Sequence, residues 1–148
     1  MKPHIRIQQE DFDLNDEIDA LTDGRTDIGG VASFVGVVRG DDDLQSLTLE
    51  HYPGMTEREI ASHVDEATKR WPLMGVTIIH RVGTLKPGER IVLVVTASSH
   101  RGAAFEACEF LMDYVKTRAP FWKREDRGGE SAWVAARASD DEAAKRWK

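Results

Sequence analysis

Two lysines stand either side of a proline in Lys116-Thr-Arg118-Ala-Pro120-Phe-Trp-Lys123. A bend at Pro120 can turn both ammonium groups toward one pocket. Crowding of the two charges, or desolvation by Phe121 and Trp122, lowers a lysine pKa and suits it to act as acid, base or nucleophile. The plainer alternative has Lys116 and Arg118 complementing a helix C-terminus. Lys123 and Glu125 then pair across a sheet face.

A second basic cluster lies in Ser98-Ser99-His100-Arg101, at a strand-to-helix junction. Such a junction gathers free backbone N–H groups and the positive end of a helix dipole. His and Arg in that first turn oppose the dipole unless an anion such as a phosphate sits among them. The alternative is a surface pair satisfied by nearby acids. Arg39, at a strand end beside Gly40, can also approach an anion, although Asp41, Asp42 and Asp43 follow and can pair with it.

Other candidates read as structural. Glu50 and His51 point to opposite faces of one strand and cannot form a dyad. His51 and His80 read as core or interface histidines. Cys108 falls on an apolar helix face and reads as packing, not as a nucleophile. The phosphate loops of nucleotide-binding folds, Gly-x-Ser-x-Gly and His-Glu-x-x-His are all missing. The 5 histidines are dispersed, so no metal site is expected.

These residues need elements to hold them. Ile5-Arg6-Ile7 alternates as a short strand, and Phe12, Leu14, Ile18 and Leu21 suit a helix behind an acidic first turn. Residues 31–38 are β-rich, and Leu47, Leu49 and His51 alternate as a half-buried strand. Thr56 and Glu59 form a capping box for a helix with Ile60, Val64, Ala67 and Trp71 on one face, ended by Pro72. Residues 76–82 form a strand with Val76, Ile78, His80 and Val82 on one side. After the Lys86-Pro-Gly-Glu89 turn, residues 91–95 are apolar enough for a central strand. Ser98-Ser99 offers N-caps for a helix running to about Arg118, with Ala104, Cys108, Leu111 and Val115 inward. Residues 121–124 and 132–135 flank Gly128-Gly129 as a hairpin. Ser139 and Glu142 cap a last short helix, 143–148. Strands and helices mix without regular βαβ alternation, which predicts α+β with a mainly antiparallel sheet.

Composition bounds the function. The chain of 148 residues has 41% apolar residues, enough for one core, and no linker that would divide it, so a single domain over 1–148 is expected. One cysteine rules out an internal disulfide framework. A net charge of −6 argues against nucleic acid or anionic membrane as partner. No hydrophobic leader or bilayer-length run occurs, so the cytoplasm is the expected compartment. A local basic site on an acidic chain suits a small anion.

Four segments, in order, then carry a family resemblance: Leu47-Thr-Leu-Glu-His-Tyr-Pro-Gly-Met55, Ile79-His-Arg-Val-Gly83, His100-Arg101, and Met112-Asp-Tyr-Val-Lys-Thr-Arg-Ala-Pro-Phe-Trp-Lys-Arg-Glu125. From about Ile28 onward the chain resembles the large, catalytic subunit of molybdopterin synthase. The resemblance implies an α/β hammerhead with an additional mainly antiparallel β portion. It implies a sulfurtransferase of molybdenum cofactor biosynthesis that converts cyclic pyranopterin monophosphate (precursor Z) to molybdopterin. The sulfur arrives as a thiocarboxylate on the C-terminal Gly-Gly tail of a small ubiquitin-like carrier. A homodimer within a heterotetramer is implied, with no permanently bound cofactor. Carried onto this sequence, Lys116 and Lys123 are catalytic. Arg39, His100 and Arg101 hold phosphate and pterin, Arg137 is a further anion ligand, and Phe34 and Met112 line the pterin pocket. A member that had become a non-catalytic module, binding a carrier tail or phosphorylated metabolite, would typically lack Lys116 or Lys123. Both are present.

Overall fold

The structure is a computed structural model, and it describes residues 1–41, 43–134, 144, 145 and 147. In chain order the elements are β1 (His4–Gln8), α1 (Leu14–Thr22), β2 (Gly30–Val37), β3 (Leu44–His51), α2 (Met55–Arg70), β4 (Leu73–Arg81), β5 (Gly83–Leu85), β6 (Arg90–Ser98), α3 (Arg101–Thr117), β7 (Phe121–Arg127) and β8 (Glu130–Val134). They build two sheets, ordered β1-β4-β6-β2 and β5-β3-β7-β8. Pairing is antiparallel apart from β1 on β4. The α+β expectation holds, and the second sheet is its antiparallel β portion.

The first sheet is covered on both faces. Phe12, Leu21, Ile79, Leu93 and Val95 form a cluster under α1. Val76, Ile78, Val92 and Val94 face the other way, against Ile60, Val64 and Ala67 of α2 and Ala104, Cys108, Leu111 and Val115 of α3. Burial on both sides is why β6 reads as one apolar run. The same core takes in Leu49 and Leu85 of the second sheet, with Leu47 and Phe121 packed at its border. Cys108 is buried and free, as expected of a packing residue.

Several local expectations need correction. The α2 N-cap is Gly54, at φ +85°, not Thr56. Glu57 Oε1 accepts from Gly54 N at 3.0 Å and supplies the acidic half of the cap. Thr56 is fully buried, accepting from Tyr52 N and donating to Pro120 O, both at 3.0 Å. Ser98 does not cap α3 either. It ends β6, and its hydroxyl donates to Pro72 O at 2.8 Å, while His100 stands at the cap position without a side-chain bond. The strand expected over 76–82 stops at Arg81, because Gly83 at φ +89° turns the chain into β5 of the other sheet. The hairpin is present and longer than expected, with Gly128 and Gly129 both at positive φ in its turn. The expected last helix lies largely outside the described residues. Its Trp147 ring packs edge-on against Trp71 and Phe110. Among the described residues no helix is long and apolar enough to cross a membrane.

Candidate active site

The bend at Pro120 is built by the end of α3. Arg118 N and Ala119 N both donate to Tyr114 O, at 2.7 and 3.3 Å, which tightens the last turn. Pro120 has no N–H to continue it. Thr56 then ties Pro120 O to the start of α2. Beyond the bend, β7 alternates, with Phe121, Lys123 and Glu125 on one side and Trp122 and Arg124 on the other. The first side faces the last turn of α3. There Met112 and Lys116, one helical turn apart, share a face.

Between them lies a cavity of about 420 Å³. Lys116, Lys123, Met112, Arg39, Phe121 and His80 line it. The sequence expectation that both lysines meet across Pro120 therefore matches the fold. Arg39 arrives from a different sheet. Val38 N donates to Glu89 O, and Gly88 N donates to Val38 O, each at 2.8 Å, so the turn after β5 clamps the residue before Arg39. Asp41 pairs with the Arg39 guanidinium at 2.9 Å, as the acidic run allowed. The other cavity carboxylate, Glu125, pairs with Arg127. Among the described residues, three basic side chains line a space whose two carboxylates each pair with a guanidinium group, a setting for an anionic ligand.

Sequence reasoning placed His80 in the core or an interface, and it is buried; what the sequence did not show is that it also lines the cavity. It is buried at the junction of the two sheets, its ring stacked on Phe121 with centroids 3.9 Å apart. Its Nδ1 lies 2.9 Å from Arg81 O. Burial, reinforced by the neighbouring Lys123 and Lys116 charges, pushes its pKa down to about 3 against the opposing bond to Arg81 O, so the ring is neutral. Alternation along 76–82 put His80 among aliphatic residues, and only the second sheet shows what lies beyond it.

The remaining candidates lie elsewhere on the chain. His100 and Arg101 are exposed at the N-terminus of α3. Arg101 and Lys116 stand at opposite ends of that helix, about 22 Å apart along its axis. Phe34 is on β2 and does not line the cavity. Arg137 lies outside the described residues. The junction at His100 is held by close backbone contact. Gly29 N donates to Ser98 O at 2.9 Å, and a Cβ on Gly29 would fall 2.1 Å from Ser99 O. A Cβ on Gly30 would lie 3.2 Å from Arg101 Cα. The Gly29-Gly30 pair carried this signal in the sequence, where it reads only as a loop.

Known proteins are similar to this chain in sequence and fold. The family model described as "MoaE protein" matches residues 7–118. The molybdopterin synthase catalytic subunit of Mesorhizobium japonicum is 58% identical, over 100% of this chain and 95% of its own length. The solved structure of the molybdopterin biosynthesis MoaE protein from Burkholderia ambifaria superposes with a TM-score of 0.86 at 52% identity, covering 99% of this chain and 98% of that one. Molybdopterin synthase from Staphylococcus aureus, at 29% identity, still gives a TM-score of 0.80 over 91% of this chain and 98% of that one. With sequence identity and superposition both running nearly end to end, the chain belongs to the MoaE family.

Proposed function

We propose that this chain is the catalytic subunit of a molybdopterin synthase. It transfers sulfur from the thiocarboxylated Gly-Gly tail of a small ubiquitin-like carrier to cyclic pyranopterin monophosphate, forming the dithiolene of molybdopterin. The observation that carries this reading is the cavity that holds Lys116, Lys123 and Arg39 together. Thiocarboxylate attack and opening of a cyclic phosphate both need proton transfers and neutralisation of developing negative charge. Ammonium and guanidinium groups around a half-enclosed space supply these. The cavity borders β8, an edge strand along which an extended carrier tail has backbone groups to follow. The chain's own thiol, Cys108, is buried and burial pushes its pKa up to about 11, which supports a sulfur donor outside the chain.

Arg101 cannot reach a small ligand held at Lys116 of the same chain, so the phosphate role of His100 and Arg101 calls for a second copy. The free edge of the first sheet supports such a dimer. β2 is an edge strand bearing Phe34 and Val37, 41% and 52% exposed, and Phe105 of α3 is 65% exposed. One end of β2, at Gly30, packs on Arg101, and the other end, at Val37, borders the cavity. Two β2 edges paired antiparallel about a two-fold axis put the Arg101 end of each copy near the cavity of the other.

The test incubates the purified chain with thiocarboxylated carrier and the cyclic pyranopterin substrate and measures dithiolene product. Product that requires the carrier is expected, and no product at all overturns the reading. The dimer is tested by mixing Lys116→Ala with Arg101→Ala. Each variant alone is expected to be inactive. A re-equilibrated equal mixture should recover about a quarter of wild-type activity, since half the dimers are mixed and each has one intact site. No recovery from two folded variants refutes the shared site.

A further inference from the structure

We propose that Arg127 is a positioning residue for Arg39: its guanidinium ties the backbone of the turn that carries Arg39 to the wall of the cavity. This rests on the proposed role of Arg39 toward the substrate's anionic group, but the tie itself belongs to the fold and can be measured without substrate.

Arg39 stands where the chain leaves the first sheet for the second. β2 ends at Val37 and β3 begins at Leu44. The near end of this crossing is held, since Val38 is bonded through both its N–H and its carbonyl to the turn at Gly88 and Glu89. The far end is less regular. Leu44 N donates to Asp41 O at 3.0 Å, and Asp43 takes φ +61°, a conformation uncommon outside glycine. The pairing of β3 with β7 also shifts between Leu44 and Ser46. Arg127 acts at this point. It is the last residue of β7, opposite Leu44 and two residues after Glu125, so Arg127 and Glu125 leave the same side of the strand. Its Nη1 donates to Asp41 O at 2.7 Å, and its Nη2 pairs with Glu125 of the cavity wall.

The tie has a direction. A guanidinium is planar and its N–H groups form a fixed fork, so anchoring one arm on Glu125 sets where the other arm holds Asp41 O. The residue held in this way is the one that holds Arg39. Oδ2 of Asp41 lies 2.9 Å from Arg39 Nε, while the Asp41 carbonyl accepts from Arg127. One residue therefore joins the two arginines. The Arg39 side chain is 64% exposed and that of Arg127 32%, so Arg127 is built into the fold and Arg39 is presented to the cavity. An anionic ligand competes with the Asp41 carboxylate for Arg39. It does not compete for the carbonyl that Arg127 holds, so the turn stays in place when the ion pair opens.

The experiment records arginine Nε–H signals by 15N NMR in the chain without ligand, for wild type and Arg127→Gln. Gln lacks the fork that spans Asp41 O and Glu125. The heteronuclear NOE of Arg39 Nε should fall, reporting a looser side chain, while that of Arg90, paired with Asp11 at the first sheet, should not change. Equal Arg39 values in the two folded proteins overturn the proposal. If Arg127→Gln does not fold, the wild-type protein decides it. A guanidinium whose arms hold different partners turns slowly about Nε–Cζ, so Arg127 should show separate Nη signals, and one averaged signal refutes the tie. Calorimetry with the cyclic pyranopterin monophosphate reads the consequence. Arg127→Gln should weaken binding about fivefold, the scale of one hydrogen bond, and should weaken it no further where Arg39→Ala is already present. The same loss in both backgrounds overturns the positioning role, because Arg127 would then act apart from Arg39. Absence of binding to the wild type would count against the sulfur-transfer reading and leave the NMR result to decide the tie.

Discussion

Acidification should unfold this protein through one buried ring. In the unfolded chain His80 has an ordinary imidazole pKa near 6.5, and the fold pushes it down to about 3. Between those values the unfolded chain binds a proton that the folded chain refuses, so stability falls as the pH falls. The slope is about 1.4 kcal/mol per pH unit for one such group. Moving from pH 7 to pH 5 should therefore cost roughly 2 kcal/mol, and the full loss of roughly 4–5 kcal/mol is reached near pH 3. Above about pH 6.5 the contribution is complete and flat. His63, whose pKa is lowered by burial against the opposing pull of Glu59, adds in the same direction. Asp11 and Asp126, held below the usual carboxylate range mainly by Arg90 and by the Ser46 hydroxyl respectively, act only at lower pH. Urea unfolding of wild type and His80→Phe between pH 7 and pH 4.5 isolates the term. Both proteins can differ in stability at pH 7, but the wild type should lose about 1.4 kcal/mol more per pH unit below 6.5. Parallel pH dependences for the two proteins would refute the reasoning, since they would mean that His80 takes a proton in the folded state without resistance.

Three further outcomes are expected. Gly29→Ala drives a methyl into Ser99 O and should destabilise the fold by about 3 kcal/mol or more, measured by thermal unfolding; a change under about 0.5 kcal/mol would show the junction to be soft. Cys108 should resist an aromatic disulfide reagent at pH 8 until the protein is denatured, and rapid stoichiometric reaction of the native chain would contradict its burial. Asp41→Asn releases the Arg39 guanidinium and should tighten phosphate-ester binding up to about fivefold, the scale of an exposed ion pair, whereas weaker binding by calorimetry would show that Asp41 orients Arg39 for the ligand.

Much of this molecule was legible in the residues themselves, because its signals are local. The apolar run in β6, the inward stripe of α3, the Gly128-Gly129 hairpin and the convergence of Lys116 and Lys123 about Pro120 each depend on spacing within a short stretch of backbone. Periodicity and a missing proline N–H fix such features before any long-range contact forms. Tertiary structure decided what depends on residues distant in sequence. Thr56 looked like a helix cap, yet its hydroxyl bridges to Pro120, and Gly54 supplies the positive φ that starts the helix. Ser98 looked like a cap too, but β6 runs on to Ser98 itself, which pairs with Gly30, and the hydroxyl goes to Pro72. His80 looked like one more inward residue of a strand, and only the packing of one sheet on the other made it part of the cavity. The separation of Arg101 from Lys116 was implicit in the helix connecting them, but its consequence was not, because a sequence shows which residues attract a ligand without showing whether one copy of the chain can bring them to it.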